Sequence, residues 1–269
     1  MNPDEQQQQD QRIAQTLSRI RHKILVMSGK GGVGKSTVAV NLAAALAKAG
    51  RKVGVLDVDL HGPTVPVLLG IVGQRAGASE DALLPLPVSP NLSALSIGNL
   101  LDENDRAVIW RGPMKISAIR QLLADVDWGE LDYLIIDSPP GTGDEPLTVA
   151  QTIPDLRALI VTTPQEVSLA DVRKSIDFCK AVMLPILGLV ENLSGYVCSQ
   201  CGHLEPLFGE GGGRRTAEKF ELRLLGQVPI DPAVVRGGDA GRPYVLEEVE
   251  GPASRAFAEI VKAVEEKLG

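Results

Sequence analysis

The sequence has few aromatic residues, few cysteines and no long apolar run. Aromatic side chains make up 3% of the 269 residues, which argues against a surface that stacks nucleic-acid bases. The longest apolar run, residues 181–190, is interrupted by Pro185 and falls well short of the roughly 20 residues that span a bilayer. Three cysteines in a chain of this length do not indicate a disulfide framework, and they favour a reducing compartment.

Positive charge is also in deficit. Lys and Arg total 27 against 34 Asp and Glu, and the net charge of −7 disfavours general binding to nucleic acid. The first residues, MNPDEQQQQDQ, contain no apolar stretch of the kind found in signal peptides, and their acidic residues argue against a mitochondrial transit peptide. We therefore expect a cytoplasmic protein that binds neither membrane nor nucleic acid.

Most of the chain alternates between short apolar runs and helical periods. Strands are predicted at residues 23–28, 52–59, 133–137, 158–164, 186–192 and 224–230. Helices are predicted at residues 36–49, 114–126, 168–182 and 254–268, and the Pro- and Gly-rich residues 60–90 are predicted as loop. This alternation predicts an α/β fold with a mostly parallel sheet and helices on both faces. We expect residues 1–20 to form a flexible tail, disordered over residues 1–11, or a short helix, and residues 21–269 to form a single domain.

A glycine-rich loop follows the first predicted strand. Residues 29–36 read GKGGVGKS and fit the pattern GxxxxGK(S/T) between a strand and a helix. In such a loop, backbone N–H groups turn towards phosphate oxygens; Lys35 is expected to contact the β- and γ-phosphates of ATP, and Ser36 to bind Mg²⁺. Lys30 is a second lysine that an ordinary loop of this kind does not need, so the pattern alone makes it a solvated charge. The predicted nucleotide-binding residues of the loop are Gly29, Lys30, Gly31, Gly32, Val33, Gly34, Lys35, Ser36 and Thr37.

Two acidic motifs follow the ends of predicted strands, where the chemistry of an open α/β sheet collects. Asp137 comes after four apolar residues, the position of a Walker-B carboxylate, and we predict that it holds Mg²⁺ through a water molecule. Asp59 follows the second strand and is placed to orient or deprotonate an attacking water. The alternative role of each aspartate is helix capping or turn formation.

A cysteine pair lies near residue 200. Cys198 and Cys201 form a Cys-x-x-Cys-Gly pattern whose spacing lets two thiolates bind one metal. Zinc or an iron–sulfur cluster usually takes four ligands, and Cys179 lies within a predicted helix as a core residue. Two copies related by a two-fold axis would supply four thiolates. The spacing alone leaves zinc, an iron–sulfur cluster and a redox dithiol open, although no thioredoxin-like context surrounds the pair, and His203 is expected to be an exposed loop residue.

Several segments together resemble one family of P-loop ATPases. KGGVGKST at residues 30–37 is similar to the deviant Walker A motif of the MinD/ParA/nitrogenase-iron-protein class. The further motifs are DVDLHGPT (57–64), DSPPGTGD (137–144), VTTPQEVSLADVRK (161–174), ENLSGYVCSQCG (191–202), FGEGGG (208–213) and LLGQVPIDPAVVRGGDAGRP (224–243). Together they span most of residues 23–243 and resemble the Mrp/ApbC/Nbp-type iron–sulfur carrier ATPases.

The resemblance implies roles for individual residues. Lys30 matches a lysine that reaches across a dimer to the nucleotide of the partner subunit, and Asn192 matches an asparagine that reads adenine. Cys198 and Cys201 match a pair that bridges a 4Fe–4S cluster between subunits. The implied catalytic residues are Lys30, Lys35, Asp59 in switch I, and Asp137.

The implied function is that of a homodimeric ATPase that carries or assembles 4Fe–4S clusters for apo iron–sulfur proteins, with ATP controlling the exchange. One alternative is a partitioning or positioning ATPase of the MinD/ParA type, which dimerises on DNA or membrane. The acidic charge balance and the charge-balanced last helix disfavour that role, and it does not explain the cysteine pair. The other alternative is an ATPase dimer with a structural zinc, since zinc and iron–sulfur clusters both bind thiolates.

Overall fold

The structure, a computed structural model, describes residues 3–79, 82–100, 110–198, 200–247 and 250–269. The strands are β1 (Ile20–Ser28), β2 (Val53–Asp57), β3 (Gly77–Ala78), β4 (Leu83–Leu84), β5 (Leu86–Ser89), β6 (Leu92–Ser96), β7 (Leu131–Asp137), β8 (Leu156–Thr162), β9 (Ile186–Val197), β10 (Leu204–Glu205) and β11 (Leu224–Ile230). The α-helices are α1 (Pro3–Ser18), α2 (Lys35–Lys48), α3 (Val65–Leu68), α4 (Gly112–Asp125), α5 (Asp144–Thr152), α6 (Glu166–Ala181), α7 (Gly212–Lys219), α8 (Pro232–Asp239) and α9 (Pro252–Leu268). Within these ranges, no helix combines the length and apolar character that a membrane-spanning segment needs.

Nine strands form one sheet in the order β10-β9-β8-β1-β7-β2-β6-β5, with β11 also pairing with β9. Parallel pairings join β1 to β7 and β8, β2 to β6 and β7, and β9 to β8 and β11. In the described part of this sheet, antiparallel pairings join β5 to β6 and β10 to β9, and β3 and β4 form a separate antiparallel pair. The predicted α/β fold with a mostly parallel sheet is confirmed.

Alternating residues of β1 belong to two hydrophobic cores, one on each face of the sheet, because successive side chains of a strand point to opposite faces. Ile24 and Val26 pack with α2 and α9, whereas Leu25 and Met27 pack with α1, α4, α5 and α6. All four side chains have no exposed surface. The central strand is thus anchored from both sides, which fixes the loop that follows it.

The segment predicted as loop, residues 60–90, contains α3, β3, β4 and β5, so that prediction was wrong. β6 follows and pairs in parallel with β2, and β5 pairs with β6 at the edge of the sheet. Pro87 lies in this edge strand, where a residue without an N–H is tolerated. The prolines therefore led to a loop prediction for a region that contains the edge strand of the sheet.

The polar N-terminus, expected to be a flexible tail or a short helix, is a helix of 16 residues. Ile13 and Leu17, one turn apart, are buried against α4. Arg12 forms an ion pair with Asp125 at 2.9 Å, and Arg120 of α4 pairs with Asp10. The expected disorder of residues 1–11 was wrong for the described residues 3–11. That residues 21–269 form a single domain stays a prediction.

The carboxyl ends of β1, β2 and β7 lie side by side. In the parallel register, Asp57 at the end of β2 stands opposite Asp137 at the end of β7, and Val26 of β1 also stands opposite Asp137. Polar residues that follow neighbouring parallel strands therefore collect at one edge, where ligands of open α/β sheets bind.

Candidate functional site

The glycine loop, residues 29–34, connects β1 to α2 at this edge. Gly34 immediately precedes α2 with φ 79°, a left-handed conformation that favours glycine. Gly29 lies against the backbone of Asp171, so closely that a Cβ atom would stand 2.3 Å from its carbonyl carbon. These two glycines allow the chain to turn back sharply and to present the N-terminus of α2 to the edge of the sheet, an arrangement suited to an anion.

Lys35, Ser36 and Asp137 form one hydrogen-bonded cluster at the N-terminus of α2. Lys35 Nζ lies 2.5 Å from Asp137 Oδ1, and Ser36 Oγ donates to Asp137 Oδ2 at 2.6 Å. Lys35 Nζ also donates to Ser36 Oγ at 3.0 Å. Asp137 is fully buried, and burial raises its pKa while the Lys35 ammonium opposes that shift. The structure thus brings together three of the residues that the sequence singles out.

Asp57 is a buried residue of this edge that the sequence analysis missed. Its Oδ2 accepts a hydrogen bond from Ser96 Oγ at 3.1 Å, and its Oδ1 accepts one from the Asp59 N–H at 3.0 Å. Burial and the neighbouring Asp137 carboxylate raise the pKa of Asp57 well above its ordinary value. The buried carboxyl groups of Asp57 and Asp137 thus stand opposite each other at the ends of neighbouring strands.

Asp59 and Lys30 lie in the two loops that flank the cluster. Asp59 is half-buried, and its Oδ1 lies 3.4 Å and 3.3 Å from the N–H groups of His61 and Gly62, as in a local turn. Lys30 is half-buried within the glycine loop, and its carbonyl accepts a hydrogen bond from Ser28 Oγ at 2.9 Å. Their predicted catalytic roles concern a bound nucleotide and stay predictions.

Asn192 lies against the end of the glycine loop. Its Nδ2 donates to the carbonyl of Val33 at 2.9 Å, and a Cβ atom on Gly34 would come within 2.2 Å of the same nitrogen. The side chain is therefore wedged against the start of α2. Its predicted contact with adenine stays a prediction.

Glu145 is a second residue that the sequence analysis missed. Its carboxylate is 4% exposed. Its Oε1 lies 2.9 Å from Lys115 Nζ and 3.5 Å from His61 Nδ1. Glu145 follows the predicted Walker-B motif, Lys115 belongs to α4, and His61 belongs to the loop of Asp59. The carboxylate thus links the two acidic loops through side chains from distant parts of the sequence, which no local pattern reveals.

Cys198 and Cys201 lie on a hairpin between β9 and β10, with Ser199 outside the described residues. The hairpin is closed by hydrogen bonds from the Cys198 N–H to the His203 carbonyl and from the Gly202 N–H to the Cys198 carbonyl, both 2.9 Å. Backbone N–H groups of Cys201 and Gln200 hydrogen-bond to the sulfur of Cys198 and lower its pKa. A turn that aims N–H groups at sulfur favours the thiolate, the form that binds metals.

Cys179 is separate from this hairpin. It is fully buried in α6, its Sγ lies 3.6 Å from Met27 Sδ, and burial raises its pKa to about 12. The prediction that it is a core residue is confirmed. His203 is exposed, as predicted, and its Nε2 lies 3.4 Å from Glu205 Oε2. Among the residues that the structure describes, no group of three or more His, Cys, Asp or Glu side chains is arranged to hold a metal ion.

A strand, a glycine loop and a helix that gather a lysine, a hydroxyl and a buried aspartate define a P-loop NTPase. The fold agrees with MinD from Pyrococcus horikoshii, solved with Mg-ADP, at 25% identity and a TM-score of 0.66 over 92% of this chain and 97% of that one. It agrees better with a nucleotide-binding protein from Archaeoglobus fulgidus in complex with ADP, at 41% identity and a TM-score of 0.79 over 92% and 96%.

The chain belongs to the ParA family described as the NUBPL iron-transfer P-loop NTPases, whose profile matches residues 19–265. It is 50% identical to the iron-sulfur cluster carrier protein of Methanocaldococcus jannaschii over 97% of this chain and 90% of that protein. It is 49% identical to the iron-sulfur cluster carrier protein of Saccharolobus solfataricus, over 95% and 86%. The predicted resemblance is therefore confirmed at the level of the family.

Proposed function

We propose that the chain is a Mg²⁺-dependent ATPase that works as a homodimer in the cytoplasm and carries 4Fe–4S clusters to apo iron–sulfur proteins. The observation that carries the proposal is the hairpin of Cys198 and Cys201, which offers two thiolates at the surface of a chain from an iron-transfer family. The relatives named iron-sulfur cluster carrier proteins support it. The proposal needs Cys198 and Cys201 as reduced thiols, and the cytoplasm keeps thiols reduced.

The residues at the sheet edge fit ATP and Mg²⁺. Ser36 Oγ and Asp137 Oδ2 lie 2.6 Å apart, and paired oxygen atoms of this kind are the ligands that Mg²⁺ prefers. Ser36 would bind the ion directly and Asp137 through a water molecule, while Lys35 would move from Asp137 to the phosphates. When bound, Mg²⁺ neutralises charge on the β- and γ-phosphates.

The hairpin supplies half of a four-thiolate site. A cluster usually takes four cysteine ligands, so two copies of the hairpin meeting at a two-fold axis would complete it. Leu204, Leu207 and Phe208, which follow the cysteines, expose 52%, 56% and 38% of their surface. An apolar border of this kind suits a subunit interface that excludes water around the thiolates.

Anaerobic reconstitution tests the proposal. With iron and sulfide, we expect about four iron and four sulfide atoms per dimer, brown protein, and transfer to an apo-ferredoxin-like acceptor. Metal analysis and native mass spectrometry give the stoichiometry. A dimer that takes up zinc but never iron would favour a structural metal site instead. ATP-driven binding to DNA or vesicles by colourless protein would favour a partitioning or positioning ATPase.

Asp59→Ala is expected to slow ATP hydrolysis about 100-fold while leaving ATP affinity unchanged, because a water-orienting carboxylate acts on the reaction and not on binding. Steady-state phosphate release and equilibrium binding separate the two effects. Asp177→Ala on the exposed surface of α6 is the matched control. Hydrolysis at the wild-type rate by Asp59→Ala would contradict the assigned role.

The same variant tests the action of Lys30 across the dimer. Lys30→Ala is expected to bind ATP but hydrolyse it poorly. A mixed dimer of Lys30→Ala and Asp59→Ala subunits contains one site with an intact Asp59 and a lysine from the partner, so we expect about half of the wild-type activity. Verified mixed dimers without recovered activity would argue against a lysine supplied in trans.

A further inference from the structure

Strand β9 connects the glycine loop to the cysteine hairpin. Asn192, in β9, contacts the loop through Val33 and Gly34, and Cys198 follows the last residue of the strand. From Asn192 to Cys198 the extended chain covers at most about 20 Å. A displacement of the loop would therefore act directly on the strand that carries the hairpin.

The strand is bent between these two points. Leu193 has φ 56° and Gly195 has φ 79°, both in the left-handed region. The pairing with β11 shifts register over the same stretch, between Val228 and Ile230. A left-handed conformation is strained for a leucine, and such strain persists only where the surroundings hold it in place.

Glu191 holds this bend. It is fully buried, and its Oε1 accepts hydrogen bonds from Ser194 Oγ at 2.7 Å and from Gln227 Nε2 at 2.6 Å. Its Oε2 accepts one from the Gly213 N–H at 2.5 Å. A Cβ atom on Gly213 would stand 2.8 Å from Oε2, so glycine permits the approach. The carboxylate thus joins the bend to β11 and to the start of α7.

Among the residues that the structure describes, the donors to this carboxylate are neutral groups of Ser194, Gln227 and Gly213. A buried carboxylate held only by neutral donors is costly compared with an apolar side chain, since its charge leaves water without a cation to compensate it. Packing alone therefore does not account for Glu191. Glu191 directly precedes Asn192 and lies two residues before the strained Leu193, so it is placed to set how far a movement at one end of the strand reaches the other.

We infer that Glu191 is a positioning residue that couples nucleotide occupancy at the glycine loop to the conformation of the Cys198–Cys201 hairpin. Nucleotide binding displaces the loop and Asn192, and the network of Glu191, Ser194 and Gln227 passes that displacement across the bend. The inference rests on the proposed function in that it takes the hairpin to be the cluster site. The coupling itself does not require a bound cluster.

The test is the rate at which the hairpin cysteines react with iodoacetamide, followed by peptide mass spectrometry, in reduced protein that holds no iron or zinc. In the wild type, ATP with Mg²⁺ is expected to change this rate by about fivefold or more, a usual size for coupling between sites. In Glu191→Gln, which keeps the volume but replaces one acceptor by a donor, we expect the change to be lost while ATP still binds. Glu205→Gln, the same substitution at an exposed position of the hairpin, is the control.

A purely structural role is distinguished by a second measurement. Such a role would lower the melting temperature of Glu191→Gln but leave the effect of ATP on the alkylation rate intact. If Glu191→Gln does not fold, Gln227→Ala removes one donor from a half-buried position and is expected to reduce the effect partially. A full nucleotide effect in either folded variant, or none in the wild type, would overturn the inference.

Failure of this inference and failure of the proposed function give different results. Absence of iron uptake with a nucleotide effect on the thiols that depends on Glu191 would remove the carrier function and keep the coupling. Normal iron uptake with thiols that do not respond to ATP would keep the carrier function and remove the coupling.

Discussion

Lys35→Ala is expected to weaken the binding of ATP with Mg²⁺ at least about 100-fold. The lysine lies at the N-terminus of α2 beside Ser36 and Asp137, where it would donate to two phosphate groups. Hydrogen bonds to charged groups contribute about 1.5–3 kcal/mol each, and about 1.4 kcal/mol corresponds to a tenfold change in affinity. Equilibrium binding of a fluorescent ATP analogue, with competition by ATP, measures the loss.

The same substitution leaves the buried Asp137 without its ion-pair partner. Breaking a buried pair costs up to about 3–5 kcal/mol, and protonation of Asp137, whose pKa burial already raises, lowers that cost. The melting temperature is therefore measured alongside binding. The double variant Lys35→Ala, Asp137→Asn removes the unpaired charge and serves as a check on folding.

Lys48→Ala is the matched control, because Lys48 is exposed at the other end of α2. It is expected to bind ATP as the wild type does. Wild-type affinity in folded Lys35→Ala would contradict the placement of this lysine on the phosphates.

The centre of the sheet was predictable from the sequence because β2, β7 and β8 are short, mostly apolar runs that are almost wholly buried. β7, β8 and β11 coincide with their predictions to within two residues at either end, and β1 begins three residues earlier than predicted. Continuous apolar runs between helical periods have few other stable arrangements. The same argument places the glycine loop and Asp137 at one edge of the sheet, and the structure confirms that placement.

The elements that sequence reasoning missed depend on distant partners. β5 and β6 are short, and β5 contains a proline, so they become strands through pairing, β6 along β2 and β5 along β6. α1 is rich in glutamine, and two buried apolar residues and two ion pairs with α4 hold it. β9 runs five residues past its predicted end, because β10 and β11 continue its pairing.

The residues of the candidate site divide in the same way, into those that local sequence patterns reveal and those that depend on distant contacts. The residues of the glycine loop and Cys198 and Cys201 stand in local patterns whose spacing carries their chemistry. Asp57, Glu145 and Glu191 acquire their importance from burial and from contacts with other segments, which no spacing encodes. Asp57 was overlooked in favour of Asp59 although it ends a buried strand, the position that identified Asp137.

The double substitution Cys198→Ser, Cys201→Ser is expected to reduce iron in reconstituted protein from about four atoms per dimer to background. A serine hydroxyl does not ionise near neutral pH, whereas backbone N–H groups already lower the pKa of the Cys198 thiol. ATP binding is expected to be unchanged, because the hairpin lies outside the glycine loop. Cys179→Ser is the matched control and should retain the iron, since Cys179 is buried in α6. Iron content equal to wild type in the double variant would contradict the location of the cluster.

Mixed dimers determine whether the cluster bridges two subunits. A dimer of one wild-type subunit and one Cys198→Ser, Cys201→Ser subunit contains a single intact hairpin and therefore two thiolates. A bridging cluster needs both hairpins, so we expect these dimers to hold almost no iron. A site contained within one chain would instead leave about half of the wild-type iron. Purification through a different affinity tag on each subunit isolates the mixed dimers, and iron analysis of that fraction separates the two arrangements, because only the bridging geometry makes the loss complete.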